Sequence, residues 1–257
     1  MFANSINEER KWKGIDSNHH RLCVIIPFRD SEDEYSNGKG RWAQLAEFIP
    51  ELTKWLEGHG VEHTFIVAEQ DQGLLFNKGS MFNFGFAAGY DRCDYSVFHD
   101  VDHLPTHPSN NYHIPDGPKH LCRAYVESWG LELLGGAFVA RNQHFIEAHG
   151  FSLRYWGWGQ EDDDIYQRMI RLPYPLERLS LEEGKYRRIE HEHGSSTYTT
   201  VQNDRNKQRL GMMKSGQIDT RLDGIFNIRG EVLKVRKNEP ELLHLVFHVE
   251  PNEALAL

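Results

Sequence analysis

Nine consecutive residues, Trp156-Gly157-Trp158-Gly159-Gln160-Glu161-Asp162-Asp163-Asp164, carry the densest chemistry in the chain. Two indoles on glycine hinges lead through one glutamine into four carboxylates. Indole faces suit the apolar face of a sugar ring, and carboxylates accept hydrogen bonds from its hydroxyls. One carboxylate among them could also serve as a general base. An acidic run alone is commonly a solvated helix N-terminus, where the dipole favours it. Its fusion to Trp-Gly-Trp-Gly makes this one a site.

Two further constellations suit a metal and a nucleotide. Asp100-Val101-Asp102 places two carboxylates where a buried strand ends. One could hold a cation while the other meets a nucleotide, although such a triplet alone is weak. His191-Glu192-His193 offers two imidazoles that converge if the backbone is extended. A surface His-x-His would be unremarkable among 15 histidines. Asp102, His191 and His193 together would make a three-ligand site suited to manganese or zinc, neutralising a leaving diphosphate. Arg29, Arg41 and Lys78 lie near strand ends or helix starts, where a phosphate would sit. Phe28 and Phe76 either sandwich a base or pack in the core. No Walker loop or Gly-x-Ser-x-Gly elbow is present, so P-loop and serine-hydrolase chemistry have no support.

The elements that must position these residues follow from periodicity. Leu22–Ile26, ended by Pro27, reads as a buried parallel strand. Trp42, Leu45, Phe48, Ile49, Leu52, Trp55 and Leu56 recur at helical spacing, closed by Gly58-His59-Gly60. His63–Ala68 and Tyr95–His99 read as strands, and Asn77–Ala88 as a helix despite its glycines. This order is that of a nucleotide-binding α/β half-domain, whose ligands collect at the carboxyl ends of the strands. Beyond a loop from His103 to Lys119, Gly135–Arg141 reads as a strand and Asp162–Ile170 as a helix. Val232–Val235 and Leu242–His248 read as a closing pair of strands.

Composition bounds the function. The 257 residues are 39% hydrophobic and 12% aromatic, enough for a sizeable core. A net charge of −9 without a long basic run disfavours nucleic acid as a partner. The N-terminus is polar, and no run approaches a membrane span. Cys23, Cys93 and Cys122 have no zinc spacing, and their odd number leaves at least one thiol outside any intramolecular disulfide. Such sparse usage reads as buried reduced thiols, and the expected location is cytoplasmic; a secretory-compartment domain is the alternative.

The ordered set Ile26-Pro27-Phe28-Arg29-Asp30, Phe76-Asn77-Lys78-Gly79, Asn83-Phe84-Gly85-Phe86, His99-Asp100-Val101-Asp102, Gly135-Gly136 and Trp156–Asp164 resembles the β-1,4-galactosyltransferases of glycosyltransferase family 7. The likeness runs from about Leu22 to Val249. The paired histidines and the C-terminal stretch look nearest to the xylosylprotein branch. The resemblance implies a single GT-A catalytic domain over 1–257, an α/β fold with a Rossmann-like nucleotide-binding half and a mixed central sheet. Residues of about 22–102 would bind the UDP-sugar, and about 103–249 would form the acceptor and lid half. It implies inverting, Mn2+-dependent transfer from a UDP-sugar donor to a carbohydrate acceptor. Carried over by motif, Asp102, His191 and His193 would hold Mn2+, and Asp162 would be the base. Pro27, Phe28, Arg29, Arg41, Phe76, Lys78, Asp100, Val101 and Leu133 would line the donor site, with Trp158 on a closing lid. Tyr155, Glu161 and Asp163 would meet the acceptor.

The chain also departs from the family pattern. Ser31 follows Asp30, and about ten extra residues precede Arg41, which restores an expected arginine. Lys78 replaces an arginine, keeping charge but losing a bidentate fork. Leu133 stands where tyrosine is usual, so N-acetylgalactosamine competes with galactose as the donor sugar. Leu153 replaces an acceptor-side asparagine. A carbohydrate-binding module without turnover is the reading from another class, and it leaves the metal and base set unexplained. A metal-dependent nucleotidyltransferase leaves Trp-Gly-Trp-Gly unexplained.

Overall fold

The computed structural model describes residues 20–30, 40–123, 132–189 and 200–251. In chain order the first elements are β1 (Leu22–Phe28), α1 (Arg41–Gly58), β2 (His63–Gln70), α2 (Lys78–Gly89) and β3 (Tyr95–His99). Then come short β4 (His103–Pro105) and β5 (Lys119–His120), β6 (Ala137–Arg141), α3 (Asn142–Glu147) and α4 (Glu161–Met169). Short β7 (Glu177–Arg178) and β8 (Tyr186–Arg188), α5 (Thr200–Lys214), β9 (Gly230–Asn238) and β10 (Leu242–Val249) complete the set.

Eight strands form one mixed sheet in the order β7-β5-β6-β3-β1-β2-β10-β9. The pairs β1–β2, β1–β3 and β2–β10 are parallel, whereas β3–β6 and β9–β10 are antiparallel. Every residue of β1 is buried because helices cover both faces. The two-residue period sorts them. Leu22, Val24, Ile26 and Phe28 face α1 through Leu45, Phe48, Leu52 and Leu56. Cys23 and Ile25 face α2 and its phenylalanines. The chain reverses direction across the sheet at β1 and β3, so the crevice beyond their carboxyl ends is where a ligand fits.

The strand β1 continues through Pro27 to Phe28, past the end expected at Pro27. The glycines that argue against α2 are what let it pack. A Cβ at Gly85 would lie 2.5 Å from Ile25 Cγ2, and one at Gly89 would lie 2.8 Å from Cys23 Sγ. The cysteines require a correction as well. Cys23 and Cys93 form a disulfide across 70 residues, tying β1 to the turn before β3, and Cys122 is a buried thiol outside it. No helix among the described residues is long and apolar enough to cross a membrane.

Candidate functional site

The site assembles where the ends of β1 and β3 meet the N-termini of α2 and α4. Asn77 caps α2, accepting a hydrogen bond from Ser80 N at 2.8 Å. Its amide donates to Leu153 O at 2.9 Å. Asn83, one and a half turns on, brackets Phe151 with bonds to its N–H and carbonyl at 2.9 and 2.8 Å. These two asparagines anchor the strand of chain that runs into Trp156. From there Gly157, Gly159 and Gln160 all adopt positive φ, turning the chain sharply into α4. The four acids then occupy the first turn of α4, as the dipole favours.

Lys78, the first residue of α2, is the hub. Its Nζ lies 3.0 Å from Asp100, 3.1 Å from Asp162 and 3.4 Å from Glu161. Burial works against its charge, but Asp100, Asp162 and Glu161 outweigh it and hold the ammonium well above its ordinary range. Burial pushes the Asp162 carboxyl up to about 7, Lys78 opposes this, and Glu161 and Asp100 reinforce it. Burial, with the Asp162 charge, raises Asp163 to about 6. Asp162 is thus tuned to the range where a carboxylate is an effective base at neutral pH. A Cβ at Gly135 would come within 2.9 Å of Asp162 Oδ2, so only glycine leaves the base its space. Glu161 Oε2 is buried without a hydrogen-bond partner.

Asp100, Asp102 and His103 bring one ligand atom each to within 4.8 Å of one another. Two carboxylates and an imidazole suit a borderline divalent cation. His103 Nδ1 donates to Asp102 Oδ1 at 2.7 Å. Burial would raise Asp102, but His103, followed by Arg41 and Arg188, holds it well below the usual carboxylate range. His191 and His193 lie outside the described residues.

The expected donor residues divide. Arg29 stacks over Phe76 at 5.3 Å and donates to Leu74 O, so the pair rims the crevice. Arg41 starts α1 and faces Asp102. Pro27, Phe28 and Val101 are buried; Phe28, 1% exposed, packs edge-on against Trp42, which is the core-packing alternative. Leu133 is buried beside Gly135. Trp158 is 47% exposed. Tyr155, expected at the acceptor, is instead buried at 2%, and its hydroxyl donates to Asp164 at 3.0 Å. Its ring is held in the core because it flanks the buried face of α4.

Three supporting groups escaped sequence reasoning. Asn206 of α5 donates to the carbonyls of Trp156, Trp158 and Gly159 at 3.2–3.3 Å, clamping the Trp-Gly-Trp-Gly turn. Arg168, Asp164, Asp223 and Arg154 form a buried ionic network under α4. His99, pushed down to about 4 by burial, donates to Asp100 O and accepts from Tyr112. Apart from the i,i+4 pair Asp164–Arg168 and the neighbours His99 and Asp100, the partners come from separate segments and leave no spacing signal.

Residues 3–115 match the N-terminal region of glycosyl transferase group 7, and residues 121–192 match the N-terminal domain of galactosyltransferase. A xylosylprotein 4-beta-galactosyltransferase of Caenorhabditis elegans is 32% identical over 210 residues, 76% of this chain and 68% of that protein. Beta-1,4-galactosyltransferase 7 of Drosophila melanogaster is 34% identical over 154 residues, 58% of this chain. The matched region spans 45% of that relative's length. The crystal structure of the catalytic domain of the Drosophila enzyme, in complex with xylobiose, superposes with a TM-score of 0.73 at 26% identity. That superposition covers 91% of this chain and 95% of the other. A mutant of the Drosophila enzyme, with manganese, UDP-Gal and xylobiose, shares the fold at 24% identity and a TM-score of 0.71.

The cytoplasmic location expected from cysteine usage is overturned. The Cys23–Cys93 disulfide belongs to an oxidising compartment. With motif order, GT-A fold and overall similarity in agreement, the chain belongs to the β-1,4-galactosyltransferases of glycosyltransferase family 7, on the xylosylprotein branch.

Proposed function

We propose that this enzyme transfers galactose from UDP-galactose to a hydroxyl of a xylose-like acceptor, with inversion at the anomeric carbon. One observation carries the reading: the Lys78 ammonium touches both Asp162 and Asp100. It thereby sets a base of raised pKa beside the carboxylate turn suited to a nucleotide diphosphate. Asp162 takes the proton of the acceptor hydroxyl as that oxygen forms its bond to the anomeric carbon. The bond from that carbon to the diphosphate oxygen breaks, and UDP departs with the electron pair. Asp102, with His191 and His193 by family resemblance, would hold Mn2+, which when bound supplies Lewis-acid stabilisation of the leaving diphosphate. Asp100, Arg29, Arg41 and Phe76 position the nucleotide, Glu161 and Asp163 the sugar hydroxyls, and Trp158 covers the donor. The strands β5, β6 and β10, from the second half of the chain, complete the sheet begun by the first, which supports one catalytic unit.

UDP release with Mn2+ and a xyloside, compared between UDP-galactose and UDP-N-acetylgalactosamine, tests this reading. Xyloside-stimulated release from UDP-galactose, absent in Asp162→Asn, is the expected result. Release that is indifferent to Asp162→Asn would refute the base assignment. The N-acetylgalactosamine donor stays as a second reading because Leu133, small and apolar, packs against Gly135 beside Asp162. On that reading, Leu133→Tyr moves the preference back to galactose.

A further inference from the structure

A groove of about 290 Å³ opens where the stretch before α2 meets Trp156 and α5. Leu74, Leu75, Trp156, Arg205, Arg209 and Pro251 line it. One wall, Leu74-Leu75, continues within three residues into Lys78. Trp156, also in the lining, continues within six residues into Asp162. The two stretches are joined where Gly157 N donates to Phe76 O at 2.8 Å. The groove and the Asp162 site are therefore built on the same two stretches of chain.

The chemistry of the lining is specific. Leu74 and Leu75 are adjacent exposed leucines and, with Trp156, make an apolar patch rather than isolated surface residues. Arg205 is exposed on α5, and no carboxylate among the described residues lies within ion-pair distance of Arg205 or Arg209. Arg209 is only 9% exposed. It donates to Arg154 O at 2.6 Å and to Asn206 Oδ1 at 3.2 Å, while its Nε is buried with no partner. On a chain of net charge −9, two arginines that no described carboxylate pairs make this lining locally basic. An orphaned buried guanidinium N–H is costly until an acceptor arrives.

We infer that this groove receives the polypeptide carrying the acceptor sugar and selects for acidic residues beside the glycosylated position. The inference rests on the acceptor reading above. Its polypeptide character follows from the nematode relative, a xylosylprotein galactosyltransferase by name. Arg205 and Arg209 would meet peptide carboxylates while Leu74, Leu75 and Trp156 cover apolar side chains.

The test uses two fluorescent xylosylated peptides, identical except that Asp and Glu in one are Asn and Gln in the other. Anisotropy is read on the full chain with Mn2+ and UDP present, for the wild type and Arg205→Glu. The acidic peptide should bind about tenfold more tightly, since two cation–carboxylate contacts of about 0.7 kcal/mol each amount to that ratio. Arg205→Glu should erase or invert the preference, and added salt should shrink it. Equal binding of the two peptides, or a preference surviving in Arg205→Glu, overturns the inference. So does competitive displacement of the acidic peptide by excess UDP, which would assign the groove to the nucleotide. Transfer to methyl β-xyloside is run alongside. If that transfer proceeds while the peptides bind equally, this inference alone fails. If neither peptide nor the methyl xyloside is galactosylated, the acceptor reading fails and takes this inference with it.

Discussion

Removing the Lys78 charge should move the pH dependence of catalysis upward. Asp162 must be ionised to accept a proton, so kcat/KM should fall as pH drops through its pKa of about 7. Lys78 Nζ lies 3.1 Å from that carboxylate and opposes the rise caused by burial. Two charges about 4 Å apart interact by about 4 kcal/mol at an effective dielectric of about 20, or about three pH units. Asp162 keeps 24% of its side-chain surface exposed, so solvent screening reduces this. Lys78→Met also leaves Asp100, Glu161 and Asp162 repelling one another, which acts in the same direction. An upward displacement of about one to two units is expected, whereas Lys78→Arg, which keeps the charge, should stay near the wild type. The assay is UDP release at saturating Mn2+, profiled from about pH 5 to about pH 9 as kcat/KM, which reports the free enzyme's base. A weaker donor affinity in Lys78→Met lowers the plateau without shifting the inflection, so the two effects separate. An inflection that stays in place or moves down in Lys78→Met would refute the reasoning.

Asp223→Ala removes a buried carboxylate that meets Arg168 and Arg154 at 3.3 Å and accepts from Ser152 and Leu153. It should cost about 3–5 kcal/mol in urea unfolding, and a loss below about 1 kcal/mol would contradict the network's role. His103→Ala deletes the 2.7 Å bond to Asp102, and calorimetry should show Mn2+ binding weakened about 10- to 100-fold. Unchanged Mn2+ affinity would mean that His103 does not orient Asp102. Gly135→Ala presses a methyl to within 2.9 Å of Asp162 Oδ2, so kcat should fall about tenfold to a hundredfold while UDP affinity holds. Comparable loss of UDP affinity would place the damage elsewhere. Reducing the disulfide, which closes 70 residues, should cost about 4 kcal/mol and lower Tm by about 8–16 °C. A Tm insensitive to reductant would show that the bridge contributes little.

The strands and helices of the first half were legible because burial on one or two faces writes a period into the sequence. Leu22–Phe28 alternates between two helices yet reads as one apolar run, since both sides are covered. The helix α5 left no such trace. Its buried residues include Asn206 and Arg209, polar groups that serve backbone carbonyls of another element. Sparse cysteines suggested reduced thiols because spacing along a chain says nothing of distance in space. Cys23 and Cys93 stand 70 positions apart, with Cα atoms 5.5 Å apart.

The sequence by itself determined which residue types the site contains, in what order, and the family that order denotes. Its acidic turn after Trp-Gly-Trp-Gly, its Asp-Val-Asp and its strand–helix alternation are local features, written in neighbouring positions. Only the tertiary structure decided what those residues do to one another. It placed one lysine among Asp100, Glu161 and Asp162, buried Tyr155 against Asp164, and set His103 on Asp102. Those outcomes depend on distance and burial, which set Coulomb energies and proton affinities and arise only when separate elements pack together.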